Sequence, residues 1–350
     1  MSYRVVQWTT GNVGRRALRA IAANPELELV GCFAWSAEKV GRDAGELAGI
    51  AKLGVAATDD AEALLALEPD CVCYTPVWPD PDELVRILEA GVDVVTTSAF
   101  VTGRGLGREA RRRIEEACLR GHSSIFGSGM NPGFANLLGL VSAGICDRID
   151  RVSVLESVDS TGYASGDTEQ SVGYGRRPDD PELPALVERG TAVFGDGVEL
   201  MAEGLGVELD EIACEAAFAV TTQDLALPGD WKIGAGCVAG IEASWQGRAA
   251  GRTLIDLQVR WRKGRHLEPD WPLEHGYVVR VEGRPCVETR LQIRPPPDFE
   301  AKGFEDSMQL GMIMTALPAV NAIPAVCAAP PGIRTYLDLP LVTGRGFASV

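Results

Sequence analysis

Thr9-Thr10-Gly11-Asn12-Val13-Gly14, near the start of the chain, has the spacing of a turn that holds a dinucleotide. The turn follows a β-type run, Arg4–Trp8, and leads into a helical stretch, Val13–Ala23. This is the layout of the G-x-G-x-x-G fingerprint, with Thr9 in place of the first glycine. Gly11 lets the backbone approach a pyrophosphate, and Gly14 lets helix and strand pack closely. Thr9, Thr10, Asn12 and Val13 complete the cradle, and the anion sits on the unpaired N–H groups of the helix start. Where an NAD site offers an acid to the ribose, about 20 residues on, the chain reads Trp35-Ser36-Ala37-Glu38-Lys39-Val40-Gly41-Arg42. Ser36 stands at the acid position, while Lys39 and Arg42 are placed to grip a 2′-phosphate. The expectation is NADP(H), with NAD(H) left open.

The other reactive side chains read as structure. Cys71 and Cys73, the one close pair among nine cysteines, share one face of an apolar strand where buried packing is expected, and there is no C-x-x-C. With His122, His266 and His275 as the only histidines, no metal site is expected. Arg111-Arg112-Arg113 is a solvated helix face, and Trp231, Trp245, Trp261 and Trp271 read as packing.

Strands and helices alternate around the glycine turn: Glu28–Trp35, Cys71–Tyr74, Val92–Thr97 and Ser124–Phe126 as strands, with helices at Asp60–Leu67, Pro81–Ala90 and Gly107–Arg120. That alternation predicts a doubly wound parallel sheet, a Rossmann domain over residues 1–147. From 148 to 303 the pattern changes to period two, as in Thr253, Ile255, Leu257, Val259 and Trp261. It predicts an α+β domain with a largely antiparallel sheet, each strand having one wet face. Thr161–Pro184, rich in Gly, Asp, Ser and Pro, reads as a mobile loop. Residues 304–350 turn helical and apolar and are expected to pack back towards the first domain.

Composition narrows the partners. With 33 basic and 49 acidic residues the formal net charge is −16, and the field repels nucleic acid and anionic lipid. Hydrophobic residues make up 46% of the 350, enough for a core. No apolar run is read as reaching the roughly 18 residues of a membrane span, and the start lacks the pattern of a signal peptide. The expected setting is the cytoplasm, with a small molecule as substrate.

Residues 4–14, Tyr74-Thr75-Pro76, Val94-Val95-Thr96-Thr97-Ser98 and Gly127-Ser128-Gly129-Met130-Asn131-Pro132-Gly133-Phe134 resemble the dihydrodipicolinate reductase superfamily. Val320-Asn321-Ala322-Ile323-Pro324 and Pro330-Pro331-Gly332 extend the resemblance to its branch of 2,4-diaminopentanoate dehydrogenases and native amine dehydrogenases, over essentially the whole chain. The resemblance implies that Thr75, Pro76, Thr97, Ser98, Met130, Asn131 and Pro132 meet the nicotinamide. Opposite them the second domain offers Glu156, Asp159, Ser160 and Tyr163, with Tyr163 a proton donor if its pKa is tuned. Asn131 and Asn321 are candidate donors to a carbonyl or imine. Two departures stand out. Glu156-Ser157-Val158-Asp159 replaces the E-x-H-H of dihydrodipicolinate reductases, and Thr96-Thr97-Ser98-Ala99-Phe100 lacks the Glu with which amine dehydrogenases of the branch handle the amine proton. The expected activity is hydride transfer to a C=N or C=O carbon of a small, fairly apolar compound, as in an imine reductase or amine dehydrogenase. The alternatives are carbonyl reduction without ammonia and an NADP(H)-binding sensor or degenerate subunit. The exposed strand edges of the second domain, and the habit of the superfamily, imply a homodimer.

Overall fold

The computed structural model describes residues 2–163, 166–300 and 304–348, and it divides into two units. The first comprises Met1–Phe134 with Gly311–Val350, the second Ala135–Leu310.

In the first unit six parallel strands alternate with helices: β1 (Tyr3–Trp8), α1 (Asn12–Ala23), β2 (Leu27–Phe33), α2 (Ala44–Ala48), β3 (Ala57–Thr58), α3 (Ala61–Leu65), β4 (Cys71–Tyr74), α4 (Pro81–Glu89), β5 (Asp93–Thr96), α5 (Arg108–Gly121) and β6 (Ser124–Gly127). The strand Gly332–Arg334 from the C-terminal stretch adds to β6, giving the order Gly332–Arg334, β6, β5, β4, β1, β2, β3. The chain runs from β1 outward to β3 on one side and from β4 to β6 on the other, so β1 and β4 flank the topological switch where open α/β sheets bind ligands. Both faces are covered. Leu84, Ile87, Leu88 and Ile114 pack on one, and Ala17, Ile21, Ala319, Val320 and Ile323 on the other. Cys71 and Cys73 are buried in the second of these layers, and Arg112 and Arg113 pair with Glu109, Glu116 and Asp82 on the exposed side of α5.

The second unit begins earlier than the change of sequence pattern at 148. Its first helix, α6 (Phe134–Ala143), carries Gly139 against Met201, Val154 and Val152 of this unit, where an added Cβ would lie 2.9 Å from Met201. The continuing helical pattern hides that boundary. After β7 (Arg148–Asp159) come α7 (Gly166–Ser171), α8 (Leu183–Gly190) and α9 (Val193–Leu205). The strands then follow: β8 (Glu211–Thr221), a small hairpin of β9 (Leu225–Ala226) and β10 (Lys232–Ile233), β11 (Val238–Ala249), β12 (Arg252–Arg262), β13 (Leu267–Glu268), β14 (Gly276–Arg284) and β15 (Val287–Leu291). The sheet order is β13-β8-β11-β12-β7-β14-β15, antiparallel except for the β12–β7 pair.

Three expectations need correction here. The alternate face of β12 is not simply wet: Asp256 is buried, paired with Arg151 and accepting from Ser244 at 2.8 Å. The Thr161–Pro184 stretch contains helix α7, and Glu169, Val172, Tyr174 and Leu183 are buried, so buried side chains and an ion pair anchor it. And one run does reach membrane-spanning length. Met308–Cys327, in the helix Phe304–Cys327, has 20 residues of mean hydropathy 1.7. Its Ala316, Ala319, Val320, Ala322, Ile323 and Val326 are fully buried against the parallel sheet; scattered Thr, Asn and Pro disguise its length in the sequence.

Candidate functional site

The glycine turn is built from below. Thr9 adopts φ +77°, the left-handed conformation that the first glycine of the fingerprint normally supplies at no steric cost. A β-branched residue is strained there, and hydrogen bonds hold it. Gln7 Nε2 donates to the Thr9 carbonyl at 2.9 Å and to Thr75 Oγ1 at 2.8 Å, and the Thr9 and Thr75 hydroxyls lie 3.2 Å apart. Thr75 Oγ1 in turn donates to the Trp8 carbonyl at 3.0 Å. An added Cβ on Gly14 would meet the Thr9 carbonyl oxygen at 2.4 Å, so only glycine fits where α1 crosses the strand end. On Gly11 it would meet nothing within 4 Å. Val13 packs towards the core, leaving its backbone to the site.

Above the turn lies an open pocket of about 320 Å³ lined by Thr10, Gly11, Asn12, Arg15, Lys39, Arg42, Glu46 and Leu47. Three cationic side chains converge on it. Glu46 pairs with Lys52 at 3.1 Å. Asp43, the next acid along, caps α2 and accepts from the N–H groups of Leu53, Gly45 and Gly54 at 2.8–2.9 Å. Those bonds, Leu53's first, hold its carboxyl below the usual range. Ser36 turns its hydroxyl to Glu38 at 3.1 Å. The pocket thus offers α1's free N–H groups, the bare backbone of Gly11 and a cationic rim, which fits the phosphates of a dinucleotide.

The neighbouring strand ends are braced rather than open. Ser98 Oγ donates to the Pro76 carbonyl at 2.6 Å and its N–H to Thr96 Oγ1 at 3.0 Å, so the Ser98 and Thr75 hydroxyls are spent on the scaffold. Thr97 and Ala99 are half-buried, whereas Phe100 is fully buried. After β6, Ser128 donates its N–H to Thr96 and bonds Tyr336 at 2.9 Å, and Gly129 and Gly133 close a tight loop around Met130, Asn131 and Pro132. Met130 is buried, Asn131 and Pro132 half-buried. Asn321, on the C-terminal helix, keeps a buried Oδ1 without a hydrogen-bond partner.

In the second unit, Glu156 Oε1 accepts from Trp261 Nε1 at 2.7 Å, and Asp159 accepts from the Thr161 N–H at 2.9 Å. Burial, then the charge of Glu169, pushes the Tyr163 hydroxyl up, so it stays protonated at neutral pH. Beside them lies a cluster that the sequence did not reveal. Lys263 is fully buried, with Nζ bonded to Glu169 Oε1 and, at 2.8 Å, to the Ser160 carbonyl. The rings of Tyr174 and Trp231 flank it at 4.9 and 5.5 Å.

This geometry can be set beside known proteins. The profile of the dihydrodipicolinate reductase N-terminus matches residues 5–96, and that of the 2,4-diaminopentanoate dehydrogenase C-terminal domain matches residues 136–345. An amine dehydrogenase of Streptomyces virginiae is 33% identical over 353 residues, 96% of each chain. The chain belongs to the 2,4-diaminopentanoate dehydrogenase and amine dehydrogenase family. The solved amine dehydrogenase of Mycobacterium smegmatis has the same fold, with a TM-score of 0.80 at 20% identity, covering 98% of this chain and 97% of that one. A 4-hydroxy-tetrahydrodipicolinate reductase of Synechococcus elongatus is 44% identical over 63 residues, 18% of this chain and 23% of that protein. This family member is thus an oxidoreductase on a nicotinamide-dinucleotide-binding fold. Within the family frame Arg15, Glu169, Tyr174 and Lys263 are additions to the residues read from sequence. Helical spacing from Asn12 to Arg15 was the available signal for the first; the others had none.

Proposed function

We propose that the chain is an NADPH-linked reductase that delivers hydride to the C=O or C=N carbon of a small, fairly apolar compound. The pocket at the glycine turn supports this reading most strongly: Arg15, Lys39 and Arg42 line it together, and Glu46, the acid among its lining residues, is paired with Lys52. The cofactor supplies the hydride, and the chain's own residues bind, orient and protonate. The Streptomyces virginiae relative is named an amine dehydrogenase, which favours C=N as a substrate bond. A second reading, carbonyl reduction without ammonia, draws on Ala99, half-buried where a carboxylate would handle an amine proton.

The deciding experiment measures NADPH oxidation against a panel of small ketones and cyclic imines, with and without ammonium. Turnover of ketones only with ammonium supports amination, and turnover without it supports carbonyl reduction. Tight NADPH binding with no turnover on any substrate refutes the enzyme and leaves a sensor.

A further inference from the structure

Of the seven tryptophans in the chain, two are exposed, Trp35 and Trp78. Both stand at the carboxyl edge of the parallel sheet. Trp35 lies two residues after β2 and Trp78 four residues after β4, on the strands that flank β1 and its glycine turn. An indole left 62% exposed forgoes burial that a large apolar ring normally takes on folding. Trp35 is nonetheless anchored. Its ring meets that of Phe33 edge-on, with centroids 6.1 Å apart, and Phe33 is stacked at 4.3 Å on the fully buried Trp8. The core thus fixes the base of this side chain and leaves most of its ring to solvent.

Alternation along β2 sets the side of the sheet on which the ring stands. Cys32 and Ala34 pack with Leu18 and Leu47, in the layer of α1 and α2. Phe33 packs with Leu64, Leu84 and Leu88 in the opposite layer, and Trp35 lies against Phe33. The cationic pocket belongs to the first side, since Arg15 of α1 and Leu47 of α2 line it together with Lys39 and Arg42. Ribose stereochemistry divides a nucleotide in the same way. The base on C1′ and the oxygen on C2′ leave adjacent carbons on opposite faces of the furanose ring. A ribose held at the end of β2, beside Ser36, with its 2′ substituent towards Lys39 and Arg42, therefore turns its base to the side of Trp35.

We propose that Trp35 is the stacking platform for the adenine base of the bound dinucleotide. The inference rests on nucleotide binding at the glycine turn and deepens that reading by assigning recognition of the base. A flat indole face takes a flat base through its π system, without reading the hydrogen-bonding edge. The contact is therefore common to every adenine dinucleotide. Trp35 sets affinity for the nucleotides as a class, and Lys39 with Arg42 sets the choice between NADPH and NADH.

The test uses the full chain with Trp35→Ala and Trp35→Phe, and measures binding of NADPH, NADH and adenosine 2′,5′-bisphosphate by calorimetry. Trp35→Ala is expected to weaken all three by a similar factor, about 10- to 100-fold. Trp35→Phe, which keeps a ring, is expected to regain most of the loss. Thermal unfolding without nucleotide is expected near wild type for both, because the indole is largely exposed. A second readout is spectroscopic. Adenosine 2′,5′-bisphosphate carries no nicotinamide to accept energy, so quenching of tryptophan emission on its addition reports stacking, and that quenching is expected to vanish in Trp35→Phe. Affinities within about twofold of wild type in Trp35→Ala overturn the proposal, and so does a loss confined to the 2′-phosphorylated ligands. Equal wild-type affinities for NADPH and NADH, both weakened in Trp35→Ala, refute the 2′-phosphate reading and leave the platform standing. A wild type that binds none of the three refutes nucleotide binding at the turn, and the platform with it.

Discussion

Gly11 and Gly14 are both small, but the structure needs them for different reasons, and substitution by alanine separates those reasons. Gly11 has φ −71° and ψ −169°, an extended conformation open to any residue, and an added Cβ touches nothing within 4 Å. In the free protein Gly11→Ala therefore changes little. The unfolded chain loses about 0.4–1 kcal/mol worth of freedom, offset by the preference of an N-cap for Gly over Ala. The methyl group instead occupies the floor of the pocket, where a diphosphate must approach the backbone. Displacing it weakens charge-assisted bonds to the helix N–H groups, each worth about 1.5–3 kcal/mol, or roughly 10- to 100-fold in affinity. Gly14→Ala places a Cβ 2.4 Å from the Thr9 carbonyl oxygen and 2.8 Å from Thr75 Oγ1. Backbone must move, at about 1–3 kcal/mol, against a helix-propensity gain of up to about 1 kcal/mol.

The assay is thermal unfolding of both variants with and without NADPH, alongside NADPH titration by fluorescence. Gly11→Ala should unfold like wild type without nucleotide and lose most of the stabilisation that NADPH gives. Gly14→Ala should unfold at lower temperature under both conditions. If Gly11→Ala binds NADPH as tightly as wild type, the nucleotide does not lie on this turn and the pocket assignment fails.

Replacing Arg15, or Lys39 with Arg42, by Ala should weaken NADPH about tenfold or more while leaving NADH affinity within about twofold; equal affinities for the two nucleotides in the wild type would refute a 2′-phosphate site. Ala99→Glu should raise ammonium-dependent turnover of ketones, by as much as about 100-fold, since position 99 is half-buried and its neighbour Phe100 takes the core; no gain shows that the side chain does not reach the reacting nitrogen. Light scattering at micromolar concentration should give twice the 37.3 kDa of one chain, and a monomer mass would refute the dimer.

What the sequence revealed is what is local. The strand, glycine turn and helix at residues 3–23 are contiguous, and Lys39 and Arg42 follow in the loop after β2 ends at Phe33, so spacing alone placed them. Thr75 and Ser98 were legible as residues at strand ends, but not the direction of their hydroxyls, which depends on Gln7, Trp8 and Pro76 across neighbouring strands. Lys263 sits in the charged run Trp261-Arg262-Lys263-Gly264-Arg265. Only tertiary packing brings Glu169, Tyr174 and Trp231 around it, and no local pattern encodes that. The edge of the second unit was misplaced for the same reason, since the partners of α6 lie in β7 and α9.

The absent carboxylate at position 99 bears on a chemical choice. A lone carboxylate in a low-dielectric site attracts an ammonium ion and then removes its proton, which suits amination. A chain with Ala at 99 carries no such charge at that position. Ala99→Glu supplies it, and a gain confined to ammonium-dependent turnover, with carbonyl and imine turnover unchanged, is the expected sign that this position handles the amine proton.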